Sequence, residues 1–126
     1  MPDLARSAVV VTVHSDNAQL DAVARVVITA AGQVSGSATV PVGVATAVEL
    51  SGVVRTWSPE DPFLSDVEVT LGEDHVTSYV GMRSFGVGRD ERGIPRLLLN
   101  GEPYLSVGLL DQGYWPDGGY NAPADA

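Results

Sequence analysis

The side chains with chemistry to offer in this sequence are few, and their spacing limits what they can do. His14 and His75 are the only histidines, each at the edge of an apolar run. Neither has a second ligand at metal-binding spacing, so no metal site is expected. The acidic pairs Glu60-Asp61, Glu73-Asp74 and Asp90-Glu91 fall among turn-forming residues. None continues into the alternating Asp-x-Asp loop with its glycine and distal glutamate that holds calcium, so they read as solvated turns. The chain has no Gly-x-Ser-x-Gly elbow, and Gly86-Val87-Gly88 is only a scrap of a dinucleotide fingerprint. With no cysteine there is no thiolate nucleophile, thiolate ligand or disulfide. No cofactor is expected. Arg83, with Asp66 and Glu68 on a plausible neighbouring strand, predicts an ion pair across a sheet rather than a site for an anionic substrate. Trp57, beside Ser58-Pro59, reads as a packing anchor whose indole N–H bonds a nearby carbonyl; a sugar-stacking platform is the weaker reading.

Around these residues the composition describes strands. Twenty valines stand among eight aromatics, with 14 glycines and 8 prolines to break the runs. Residues 8–14 (AVVVTVH) predict a first strand. Leu20 to Ala30 fits helical spacing as well as a strand, but its β-branched residues and the closing Gly32 favour a strand with Leu20, Ala22, Ala24, Val26, Ile28 and Ala30 on one face. Residues 32–43 predict short strands around turns. Val44 to Val54 alternates, and Asp66 to Leu71 does so most cleanly, with Val67, Val69 and Leu71 facing in. His75 to Val87 predicts one long strand interrupted at Gly81 and Gly86. Asn100-Gly101 between apolar segments predicts a hairpin, since both turn positions require φ > 0. Short strands at about ten-residue spacing indicate an all-β fold, an immunoglobulin-like antiparallel β-sandwich with a C-terminal β-hairpin extension. The expected division is a sandwich over 1–90, a linker over 91–96 (in the Gly- and charge-rich GRDERGIPR), and a hairpin, strand and loop over 97–126.

Charge and length narrow the class further. Sixteen acidic residues face seven arginines and no lysine, for a net charge of −9 over 126 residues. Phosphate binding needs clustered cations, so nucleic acid and anionic membrane are both unexpected partners. No apolar run approaches the roughly 20 residues of a membrane helix, and no signal peptide is expected at the start, a reading that leans slightly toward the cytoplasm.

Four segments in order carry a resemblance: WSPEDPFL (57–64) with the strand DVEVTL (66–71), GMRSFGV (81–87), LLLNGEPYL (97–105), and GLLDQGYWPDG (108–118). Together they resemble glycoside hydrolase family 2, the family of β-galactosidases, β-glucuronidases and β-mannosidases. The resemblance spans about residues 57–118; residues 1–56 agree only in pattern. The chain departs from the family pattern at Ser65 and Val80, where aromatics are usual, and at Val107, where an arginine commonly precedes the glycine.

The resemblance implies an Ig-like sandwich followed by the opening hairpin and strand of a (β/α)₈ barrel. It implies a retaining reaction run by two glutamates roughly 5 Å apart on later barrel strands, beyond residue 126. The chain is then expected to be a non-catalytic sandwich fragment of a longer enzyme, a structural and docking module, with no catalytic residue of its own. A barrel of about 250 residues does not fit in this length. Asp111, Gln112, Tyr114 and Trp115 would follow the first barrel strand, where barrel sites are built. There an indole face stacks on sugar C–H groups while carboxylate and amide bond hydroxyls, so Asp111, Gln112 and Trp115 are the candidate substrate contacts in the intact parent. Carbohydrate would reach this chain only through that parent. The apolar residues 97–110 would otherwise bury themselves against the sandwich or a second copy, because an orphan strand edge is a pairing template. The alternative reading is a stand-alone carbohydrate-binding or Ig-like interaction domain.

Overall fold

Valine-rich alternation becomes ten strands: β1 (Pro2–Asp3), β2 (Ala8–Val11), β3 (Val23–Ala30), β4 (Gln33–Pro41), β5 (Thr46–Glu49), β6 (Ser65–Leu71), β7 (Asp74–Val80), β8 (Phe85–Arg89), β9 (Pro95–Leu99) and β10 (Glu102–Pro103). The computed structural model describes residues 1–16 and 21–105, and no helix occurs among them. All pairings are antiparallel, in three sheets ordered β1-β2-β5, β4-β3-β6-β7 and β10-β9-β8.

The first two sheets form a sandwich. Val9 and Val48 from the three-stranded sheet meet Val26, Ile28, Val40 and Val67 from the four-stranded one, with Met82 closing the cluster. Each fully buried valine or isoleucine contributes about 1.5–3 kcal/mol relative to exposure, and among the described residues no aromatic is buried with them. The chain passes from one sheet to the other after β2, β4 and β5. This is the immunoglobulin-like arrangement, with the fourth strand paired to the third.

Sequence and structure agree where alternation is strongest. Ala24, Val26 and Ile28 of β3 are buried on one face, and in β6 Asp66, Glu68 and Thr70 face solvent while Val67 is buried. The β9–β10 hairpin turns at Asn100-Gly101 with φ of 54° and 81°, the left-handed pair its sequence demands.

Elsewhere the expectations need correction. Residues 8–14 give a strand only to Val11, and 44–54 only Thr46–Glu49, because β2 and β5 pair with each other over just four residues. Residues 32–43 form one nine-residue strand, joined to β3 through a two-residue turn at Ala31-Gly32. A register shift opposite Ile28/Thr29 makes room for Ser35, whose carbonyl accepts both the backbone N–H (2.8 Å) and the hydroxyl (3.0 Å) of Ser51. Gly36 lets the two chain segments touch: a Cβ there would lie 2.4 Å from the Glu49 carbonyl oxygen. The strand expected over 75–87 ends at Val80, and its continuation, β8, joins a different sheet. Gly86 interrupts nothing; it pairs with Leu98 inside β8–β9.

Residues 91–96, expected as linker, form most of a tight hairpin end and the start of β9. The Asp90 carboxylate accepts the N–H groups of Arg92 (2.9 Å) and Ile94 (3.0 Å), and Arg96 Nε donates to its other oxygen at 3.0 Å. Those bonds hold the Asp90 carboxyl below the ordinary aspartate range, the Ile94 N–H contributing most and Arg96 next.

Candidate functional site

Two of the motifs, 40-odd residues apart in sequence, are clasped together. Trp57 donates its backbone N–H to the Met82 carbonyl at 2.9 Å, and its own carbonyl accepts Asn100 Nδ2 at 2.9 Å. Asn100 Oδ1 accepts the Ser84 N–H at 3.0 Å, and the Asn100 N–H donates to the Ser84 carbonyl at 2.8 Å. One asparagine side chain thus joins the crossing segment 57–64, the exit from β7 and the β9–β10 turn. Tyr104, just after β10, adds a hydroxyl bond to Glu60 Oε1 at 3.1 Å. Burial first, and the Glu60 carboxylate second, raise the Tyr104 hydroxyl above its ordinary pKa.

The crossing segment is itself braced. The Ser58 N–H donates to the Asp61 carbonyl (3.0 Å), and the Asp61 N–H donates back to Ser58 Oγ (3.1 Å). Arg55 grips the Asp61 carboxylate through Nε (3.0 Å) and Nη2 (2.6 Å), lowering its pKa, and lies 4.2 Å from the Phe63 ring centre. Pro59 and Pro62 set the intervening turn. Trp57 is therefore anchored by its backbone, and no hydrogen bond of its indole N–H is found among the described residues.

Arg83 does not make the expected ion pair with Asp66 or Glu68. It lies past the end of β7, its guanidinium 4.8 Å from the Trp57 ring and 5.1 Å from the Phe85 ring. Two aromatic faces replace a carboxylate as its neighbours. Glu68 has His75 Nε2 at 3.8 Å as its neighbour instead, both side chains half-exposed. Trp57, Leu64, Tyr79, Gly81 and Arg83 surround an open cavity of about 440 Å³. A Cβ at Gly81 would stand 3.3 Å from both Trp57 and Leu64, so glycine keeps that wall thin.

Beyond the clasp lies an uncovered apolar face. Val87 and Leu97 are cross-strand partners in β8–β9, and Phe85 pairs with Leu99 on the same side. Phe85, Val87 and Leu97 are 69%, 74% and 58% exposed.

The serine and threonine side chains that hydrogen-bond among the described residues do so to backbone groups, not to a histidine. His14 and His75 line one shallow cleft with Asp74, a juxtaposition their separation in sequence hides. No group of three or more His, Asp or Glu side chains close enough to hold a metal occurs among the described residues. Asp111, Gln112, Tyr114 and Trp115 lie outside the described residues, as do Val107 and the strand expected over 106–110. Sequence reasoning missed Asn100 as a side chain that ties segments together, since Asn-Gly explains itself as a turn. Comparison with models of protein families and with curated proteins gives no match for this chain.

Proposed function

We propose that this chain is the non-catalytic, Ig-like sandwich domain of a family 2 glycoside hydrolase, a structural module that docks against the enzyme's retaining barrel. The observation that carries the reading is the third sheet. It is clasped to the sandwich through Asn100 and Trp57, yet presents Phe85, Val87 and Leu97 uncovered. Covering three such side chains is worth on the order of 5 kcal/mol, enough to hold one domain against another. The clasp uses the same motifs, WSPEDPFL and LLLNGEPYL, that carry the resemblance. The two sandwich departures, Ser65 and Val80, are direct cross-strand partners, so both small residues fall at one spot in the sheet. In this reading Asp111, Gln112 and Trp115 contact sugar in the intact parent, and carbohydrate meets the chain nowhere else.

A second reading, a stand-alone carbohydrate-binding or interaction domain, draws on the cavity beside Trp57 and Tyr79. Reading the source gene past the codon for Ala126 separates the two. An open frame of about 250 further residues, with two glutamates at barrel-strand spacing, is the expected result. A stop codon there, or an unrelated domain, overturns the hydrolase reading.

A further inference from the structure

β7 (Asp74–Val80) is the outer strand of the four-stranded sheet. On one side it pairs with β6 without a break, from Leu71↔Asp74 to Ser65↔Val80. On the other, no backbone hydrogen bond reaches it from any described residue. The opposite edge, β4, is tied to Ser51 at one point, through the Ser35 carbonyl, whereas β7 has no such tie among the described residues. Protein edges are ordinarily protected by proline, a bulge, lysine or inward charge. β7 has no proline, lysine or bulge, and its one carboxylate, Asp74, stands at its first position; Val76 to Val80 is VTSYV, uncharged, β-branched and aromatic, with Val76 61% and Tyr79 69% exposed.

We propose that β7 pairs antiparallel with β7 of a second copy, about a two-fold axis at Thr77, joining two four-stranded sheets into one of eight. A two-fold axis perpendicular to an edge strand gives antiparallel pairing as a matter of geometry. The charges agree with that occupant. In this register Val76 stands opposite Ser78 of the partner subunit, and His75 opposite Tyr79 of the partner subunit. No like charges meet directly. The acidic start of the strand, Glu73-Asp74, falls opposite Gly81 and Val80 of the partner subunit, two residues short of Arg83 of the partner subunit, whose guanidinium lies beside its own Trp57 and Phe85 rings. None of Glu73, Asp74 and Arg83 makes an ion pair with another described residue. By symmetry this approach of opposite charges occurs twice, in a chain whose net charge otherwise opposes association.

Sedimentation equilibrium of the 126-residue chain across the micromolar range tests this. The wild-type chain is expected to dimerise. Thr77→Lys, on an exposed position facing Glu68 within the sheet, sets two ammonium groups against each other at the axis and should raise the dissociation constant at least about tenfold with an unchanged circular dichroism spectrum. Thr77→Val should stay dimeric, which separates loss of pairing from loss of the fold. A wild-type chain that stays monomeric throughout overturns the proposal, as does a Thr77→Lys dimer as tight as wild type. A dimer dissolved by Val87→Lys but not by Thr77→Lys places the contact on the β8–β9 face and overturns it equally.

Discussion

Asn100 does two jobs that only asparagine combines well. Its backbone adopts φ of 54°, a left-handed conformation asparagine tolerates, while its amide bridges the Trp57 carbonyl and the Ser84 N–H. Asn100→Ala keeps the fold but leaves both partners unpaired at a strained backbone, so thermal or urea unfolding should show a loss of about 1–3 kcal/mol. Asp90 gives a pH signature. Its folded pKa lies below the ordinary aspartate value of 3.8, with Ile94 and then Arg96 as the causes. A depressed carboxylate contributes stability above its unfolded pKa and loses it as pH falls through the folded one. An NMR titration should therefore find the Asp90 carboxyl midpoint below 3.8, with the Arg92 and Ile94 amide shifts moving in step. Asp90→Asn should abolish that acid-range movement. A midpoint at or above the ordinary value would contradict the hairpin geometry.

At the scale of elements, glycine marks where chain segments press together, and the two tightest cases differ in what they press against. A Cβ at Gly36 would meet the backbone oxygen of Glu49 at 2.4 Å, whereas one at Gly88 would meet the Leu98 Cδ1 methyl at 2.7 Å. Backbone cannot step aside, but a leucine tip can change rotamer. Gly36→Ala should cost about 1–3 kcal/mol or loosen the β4–β5 contact, and Gly88→Ala clearly less, in parallel denaturation curves. Equal costs would mean that the β4 crossover is more pliable than its geometry. Strand length follows the same logic of partners. Residues 12–14 are as β-prone as 8–11, yet β2 ends at Val11 because β5 supplies only four partners.

For the molecule as a whole, the balance lies between a small aliphatic core and a large uncovered apolar face. Ile28, Met82, Val26, Val40 and Val48 are the largest fully buried side chains, while Phe85, Val87 and Leu97 stand in solvent. A face that is already exposed contributes little to stability, so polar replacements there should be nearly neutral. Phe85→Ser combined with Val87→Thr should leave the unfolding midpoint within about 0.5–1 kcal/mol of wild type. The same variant should bind a hydrophobic dye much more weakly. A large loss of stability would show instead that these side chains are packed against something in the isolated chain.

What could be read from residue order was the local part of the structure. Period-two alternation placed Val67, Val69 and Leu71 on one face of β6 and Ala24, Val26 and Ile28 on one face of β3, since side-chain direction in a strand depends only on neighbours in sequence. Asn100-Gly101 announced its hairpin for the same reason. The candidate sugar contacts Asp111, Gln112 and Trp115 rested on resemblance and lie outside the described residues. Tertiary structure decided the rest, because it turned on which distant segment came alongside. The run from His75 to Val87 was divided between two sheets where Trp57 takes the Met82 carbonyl. The stretch expected as linker closed on the Asp90 carboxylate. Arg83 exchanged two plausible carboxylates for two aromatic rings. Strand propensity is a property of a short segment; a strand's partner, and so its length, sheet and exposed edge, is a property of the folded chain.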